Sequence, residues 1–249
     1  MPTKNEKFIA ALKSMNKLMK QDNAAGHQWT YCNKSGKKAK DFDSARKEGK
    51  YLVNCVDGVQ WALKKAGIPS SALSWYGGMG HIVWLNPNAE KNAKKYFDII
   101  YLNMKVTTAV KKGKLCEGDV LIYTSMSHTN AYLGWGKSFD SGHAYCTRSG
   151  EGAPFTKWIG ALSCKNHKIS YVLRLKNRQH FRVVLGTYDF VDNAKAFAEK
   201  VSKMGAKVTI NEVGDVFKVQ AGYFDGRVNA EALQDTLTKK GIISVIEVV

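Results

Sequence analysis

The chain has 249 residues, 44% of them hydrophobic and 24% charged. Those are the proportions of soluble globular protein, and the length suits one large domain or two modest ones. No run reaches the ~18 consecutive apolar residues of a membrane helix, so a helical span is not expected. The formal charge is +17 and uneven: 10 basic against 9 acidic residues from Arg178 onward leave +16 in residues 1–177.

So basic a surface attracts polyanions. No zinc finger, RNP sequence or other nucleic-acid module is present, so nucleic acid is not expected as the partner. Lysine-rich stretches such as Lys34–Lys40 read equally well as a solvated face. The five cysteines (Cys32, Cys55, Cys116, Cys146 and Cys164) are odd in number and scattered. A disulfide framework is denser, and free thiols are expected.

Residues 5–20 place Phe8, Leu12, Met15 and Met19 on one helical face. Lys13, Lys17 and Lys20 interrupt the apolar core that an export signal needs, so a cytoplasmic protein is expected. The aromatic patch Gln28-Trp29-Thr30-Tyr31 follows, then a short helix from Asp41 to Lys50. Asn54-Cys55-Val56-Asp57-Gly58 opens a helix whose apolar side carries Val56, Val59, Leu63 and Ala66. Gly67 ends it, with Pro69 close behind. Ser70 to Asn88 reads as loop, and Ala89 to Tyr101 as another helix.

The period then changes. Strands are predicted at 119–123, at 128–133, from Ser138, and at 169–175. Helices first and an antiparallel sheet later is an α+β layout. The polar connection Lys176–His180 separates a domain at 1–177 from one at 178–249. In the second, residues 181–213 lie over 217–249 as two copies of strand, amphipathic helix, glycine, strand. Two such units make a ferredoxin-like βαβ–βαβ sheet with both helices on one face.

A thiol attacks as its thiolate, and the first turn of a helix favours that form through its unpaired N–H groups and dipole. Cys55 holds such a position; the other four cysteines do not. A thiolate enzyme also needs a base and a group that orients it. His128 opens a strand, with Asn130 and Tyr132 on the same face. A turn at Gly134-Trp135-Gly136 brings Phe139-Asp140-Ser141 alongside, where Asp140 is placed to fix the far ring nitrogen of His128.

These residues also carry a resemblance. Asn54-Cys55-Val56-Asp57-Gly58-Val59 resembles the D-C-S-G-hydrophobic helix start of NlpC/P60 cysteine peptidases. Glu117 to Tyr123 resembles their P-G-D-L strand, and His128 to Gly134 their H-V-G-I-Y-L-G strand. Asp140 falls where the family has its third polar residue, often His, and the related CHAP enzymes more often use another residue there. Trp29 to Tyr31 resembles the patch lining the family's cleft.

The resemblance, over roughly Gly26 to Leu175, implies a papain-like domain of N-terminal helices packed on an antiparallel sheet. It implies acyl transfer to Cys55 with His128 as base, on an amide of the peptidoglycan stem peptide. The bond stays open between the γ-D-glutamyl, cross-bridge and muramoyl–L-alanine amides. A helix-start N–H would hold the oxyanion. Substrate contacts are expected from Trp29, Tyr31, Asn54, and the loop residues Trp75, Tyr76 and His81. No cofactor is implied. His143-x2-Cys146 and Cys164-x2-His167 have zinc-like spacing, but loop histidines and core cysteines explain them more simply, and no metal is expected.

Phe217 to Phe224, FKVQAGYF, resembles the V-Q-x-G-x-F signature of SPOR domains, and Phe181 to Tyr188 repeats it with Val184 in place of Gln220. That resemblance implies binding to peptidoglycan glycan strands lacking stem peptides, through Gln220, Tyr223 and Phe224. The combination resembles a phage endolysin, held in the cytoplasm until released to the wall, where anionic wall polymers are further candidate partners. An inactive wall-binding or scaffold protein, or a cytosolic γ-glutamyl-amide hydrolase, are the alternatives.

Overall fold

The computed structural model describes residues 2–32, 34–69, 75–76, 81–82, 87–123, 128–142, 152–176 and 179–249. The chain divides into two units, Met1–Asn177 and Arg178–Val249.

The first unit opens with α1 (Lys4–Ala24), β1 (Thr30–Tyr31), a 3-10 turn (Ser35–Lys37), α2 (Phe42–Lys47), β2 (Leu52–Val53) and α3 (Cys55–Lys65). Next come β3 (Trp75–Tyr76), β4 (His81–Ile82), α4 (Pro87–Lys94), β5 (Phe97–Lys105) and α5 (Val106–Lys111). The strands β6 (Val120–Tyr123), β7 (Thr129–Tyr132), β8 (Lys137–Phe139), β9 (Ile159–Ala161) and β10 (Lys168–Leu175) complete it. Six strands form an antiparallel sheet in the order β5-β10-β6-β7-β8-β9.

Thr3 caps α1 in a reciprocal box with Glu6, and Phe8, Leu12, Met15 and Met19 are buried as their spacing requires. Asn16 ties α1 to the sheet, its Oδ1 accepting from the N–H groups of Trp158 (2.8 Å) and Ile159 (2.9 Å). α3 packs on α1 and β7, which brings the start of α3 to the sheet.

Two expectations are corrected. The helix drawn from Ala89 to Tyr101 stops at Lys94, and Phe97–Tyr101 belong to β5. Ile99, Ile100 and Tyr101 favour a strand, and pairing with β10 (Leu173↔Ile99, Val172↔Ile100, Tyr171↔Tyr101) overrides the helical reading. Cys164 is disulfide-bonded rather than a thiol, whereas Cys32, Cys55 and Cys116 are buried and outside any disulfide. Cys146 lies outside the described residues.

Asp119, in the segment that carried the P-G-D resemblance, is fully buried and structural. It accepts from Arg174 Nε (2.9 Å) and Nη2 (2.8 Å) and from the Cys116 N–H (2.7 Å), which ties the turn before β6 to β10.

The second unit is β11 (Phe181–Tyr188), α6 (Val191–Lys203), β12 (Thr209–Val213), β13 (Val216–Phe224), α7 (Arg227–Lys239) and β14 (Val245–Val248). Its antiparallel sheet has the order β12-β13-β11-β14. Both helices pack on the sheet, and Val183, Leu185, Ala194, Ala198, Val201, Val219, Ala230 and Leu237 form the core between them. The sequence repeat is visible in the register, because Val184 on β11 lies opposite its counterpart Gln220 on β13.

Candidate active site

The site begins with a capped helix. Asn54 is the N-cap of α3; its Oδ1 accepts from the N–H groups of Val56 and Asp57, both at 3.0 Å. The Asp57 carboxylate closes the box by accepting from the Asn54 N–H at 2.9 Å. Lys38 Nζ pairs with Asp57 at 2.6 Å. Burial pushes the Asp57 carboxyl above its usual range, against the opposing pull of Lys38. The Gly58 N–H points to the Asn54 carbonyl at 3.4 Å. Among the described residues, the N–H of Cys55 itself is thus the first-turn donor left without a hydrogen-bond partner. A helix start alone leaves open which of its N–H groups would hold an oxyanion.

Cys55 and His128 are 5% and 4% exposed. They meet at Gly142: a Cβ added there would lie 2.5 Å from Cys55 Cβ and 3.0 Å from His128 Cε1. Close approach also depends on Gly58, where a Cβ would strike Ser141 Oγ. Ser141 Oγ donates to the Asn54 carbonyl at 2.9 Å, fastening the segment after β8 to the start of α3. Neither Ser141 nor Gly142 was singled out from the sequence; the only trace of their role is a glycine inside a helix, at position 58.

His128 Nε2 lies 3.0 Å from Asp140 Oδ2. The Cys55 side chain is the other hydrogen-bond partner of the ring, which leaves Nδ1 for the thiol. Burial alone would lower the His128 pKa, but the Asp140 carboxylate and Cys55 outweigh it and hold the imidazole well above its ordinary value. Burial opposes ionisation of Asp140 too, yet His128, Ser163 Oγ (2.6 Å) and the Gly142 N–H (2.9 Å) keep its carboxyl below the usual range. The three side chains therefore form a line, Cys55–His128–Asp140, with a charged acceptor at its far end. Such a line can withdraw a proton from the thiol and return it to a leaving group. Gly142→Ala is expected to push Cys55 and His128 apart and lower any activity of this line by about 10²-fold, with the fold retained by circular dichroism.

Other expected contact residues are placed differently. Trp29 is fully buried, stacked on Phe42 (ring centroids 5.2 Å apart), with its Nε1 donating to Asp22 Oδ2 at 3.0 Å. It is a core residue rather than a cleft residue, because Phe42, Trp61 and Trp158 surround its indole. Tyr31, 3% exposed, belongs to the same core. The Asn54 carbonyl and side-chain oxygen are engaged in capping and bracing α3, which replaces the substrate contact expected of it. Trp75, Tyr76 and His81 lie on the β3–β4 hairpin, and their side chains are outside the described part.

Cys164 is the third member of a group with His128 and Asp140 whose potential ligand atoms lie within 4.8 Å of one another. Its disulfide takes the sulfur out of thiolate chemistry, so the group does not fit a metal. His143 and Cys146 of the zinc-like spacing lie outside the described residues.

In the second unit, Gln220 Oε1 accepts from Asn211 Nδ2 at 3.0 Å, and Lys218 Nζ pairs with Glu247 at 2.7 Å. Tyr223 is 53% exposed and stacks on His180. Phe224 is half-buried and packs instead against the core shared with the helices, beside Gly222 and Leu233. The cause is the strand's alternation, which sends neighbours Tyr223 and Phe224 to opposite faces.

The comparisons place this second unit. Residues 177–246 match a known family. That family is the SPOR domain. The match leaves residues 1–176 uncovered. The chain is also similar to the solution structure of the peptidoglycan binding domain of the B. subtilis cell wall lytic enzyme CwlC. There the identity is 20% over 30% of this chain and 94% of that one, with a TM-score of 0.28. No curated protein matches the chain. No described helix is long and apolar enough to cross a membrane.

Proposed function

We propose that this chain is a cell-wall hydrolase in which the SPOR domain holds peptidoglycan and the first unit cuts an amide of the stem peptide. The observation that carries the catalytic half is the Cys55–His128–Asp140 line at a helix start. The papain-like, NlpC/P60-type reading of this unit rests on the same residues. Cys55 attacks the amide carbonyl, the C–N bond breaks, and the proton held by His128 goes to the leaving amine. Water then attacks the thioester, giving its proton to His128, and the acid leaves. The Cys55 N–H is the donor placed for the oxyanion. Mass spectrometry of muropeptides released from purified walls tests this reading and names the bond. Intact muropeptides after full incubation would leave a wall-binding protein without hydrolase activity, a reading that the SPOR match favours equally.

The wall-binding half predicts a division by salt. The SPOR domain is nearly neutral, so its hold on glycan is not chiefly electrostatic, whereas residues 1–177 carry +16. Exposed charges are screened beyond about 8 Å at physiological ionic strength. In sacculus pull-downs across a salt series, the intact chain should stay bound at high salt, most visibly on glycan stripped of stem peptides. The double variant Gln220→Ala/Tyr223→Ala should bind at low salt and release as salt rises. Equal release of both proteins would remove these two residues from the binding surface.

A further inference from the structure

We infer that Ser163 is a positioning residue for the candidate base, the last donor of a one-way hydrogen-bond chain from Tyr123 through Asn130 that fixes the Asp140 carboxylate against His128. This rests on reading His128 as the base of Cys55. Ser163 follows β9 and is remote in sequence from both.

The direction of the chain follows from counting protons. Tyr123 OH donates to Asn130 Oδ1 at 3.1 Å, and Asn130 Nδ2 donates to Ser163 Oγ at 2.7 Å. Ser163 has one hydroxyl hydrogen and two lone pairs, and Asn130 fills the first lone pair. Asp140 Oδ2, an ionised acceptor at 2.6 Å, takes the hydrogen. Ser138 Oγ, 3.3 Å away, accepts from the Ser163 N–H at 3.0 Å and directs its own hydrogen to the second lone pair of Ser163. The side-chain donors of Tyr123, Asn130 and Ser163 therefore all point toward the carboxylate. Asn130 and Ser138 are buried, at 0% and 1% exposure, so this is a built network rather than a solvated surface. The same Oδ2 accepts from His128, so anything that loosens Ser163 loosens the orientation and charge of the acceptor on which the ring depends.

The test is an NMR titration of the His128 ring in the full chain, which reads the base without requiring lysis. In the wild type the ring should titrate well above the ordinary value of about 6.5. Ser163→Ala should bring it down by roughly one pH unit. Ser163→Thr, which keeps the hydroxyl, should restore it, and Tyr123→Phe should shift it in the same direction by less. A purely structural role would lower stability and leave the titration in place. An unmoved ring in Ser163→Ala overturns the inference, as does an unmoved ring in Tyr123→Phe should the alanine variant not fold. A wild-type ring titrating at its ordinary value overturns it as well. Failure of the wild-type protein to release muropeptides bears instead on the hydrolase reading, because the titration is measured independently of it.

Discussion

Cys55→Ala is expected to reduce lysis of purified walls to background, a loss on the order of 10⁴-fold or more, while the protein stays folded. The fold should survive because the cap of α3 does not involve the thiol. Asn54 and Asp57 supply the box, and Ser141 holds the Asn54 carbonyl. Removing one sulfur from the start of the helix leaves those bonds in place. Cys32 and Cys116 are also buried thiols outside any disulfide, but neither begins a helix. The double variant Cys32→Ala/Cys116→Ala should therefore keep most of the activity. Residual lysis near half the wild-type rate from Cys55→Ala would sink the mechanism.

Removing the base comes next in size. His128→Ala should lose about 10³-fold or more, since in the proposed mechanism the imidazole moves a proton in both half-reactions. Asp140→Ala should lose less, since the carboxylate orients the ring and favours its charged form without touching the substrate. The pH dependence follows from the directions of the two shifts. His128 is raised, so its contribution to stability is complete below its unfolded value of about 6.5 and is lost as pH rises through the raised folded value. Asp140 is lowered, so its contribution is present above an unfolded value of about 3.9 and is lost as pH falls through the lowered folded value. The pair is thus intact across the whole interval between, and activity should persist well above pH 6.5. In Asp140→Ala the alkaline limb should move down toward it. A larger loss from Asp140→Ala than from His128→Ala would reverse the roles given to the two residues.

Much of this arrangement was legible in local pattern. α1 followed from apolar spacing alone, and α3 from apolar spacing together with Asn54 at its start, because such patterns declare a helix within a dozen residues. The second unit followed from its internal repeat. The juxtaposition of His128 with Asp140 followed from strand period and one turn. What escaped was decided by tertiary pairing. β5 reads as the end of a helix until β10 is alongside. Trp29 reads as a cleft aromatic until Phe42, Trp61 and Trp158 are seen around it. Ser163, Ser141 and Gly142 carry no motif, because their roles are contacts across the fold. The signature around Phe224 gives residue types and not the face each one takes, and strand alternation separates it from Tyr223.

The hydrogen bond from Ser141 to Asn54 spans 87 residues of chain, and those from Trp158 and Ile159 to Asn16 span 142 and 143. Contacts this distant in sequence form only after the entropy of closing the intervening loops has been overcome, and a chain emerging from the ribosome gains them last. Until β7, β8 and the segment after them have condensed onto α3, Cys55 has no imidazole beside it and is an ordinary thiol at a nascent helix end. The Cys55–His128–Asp140 line is therefore a late product of folding, present only in a first unit that has completed its sheet.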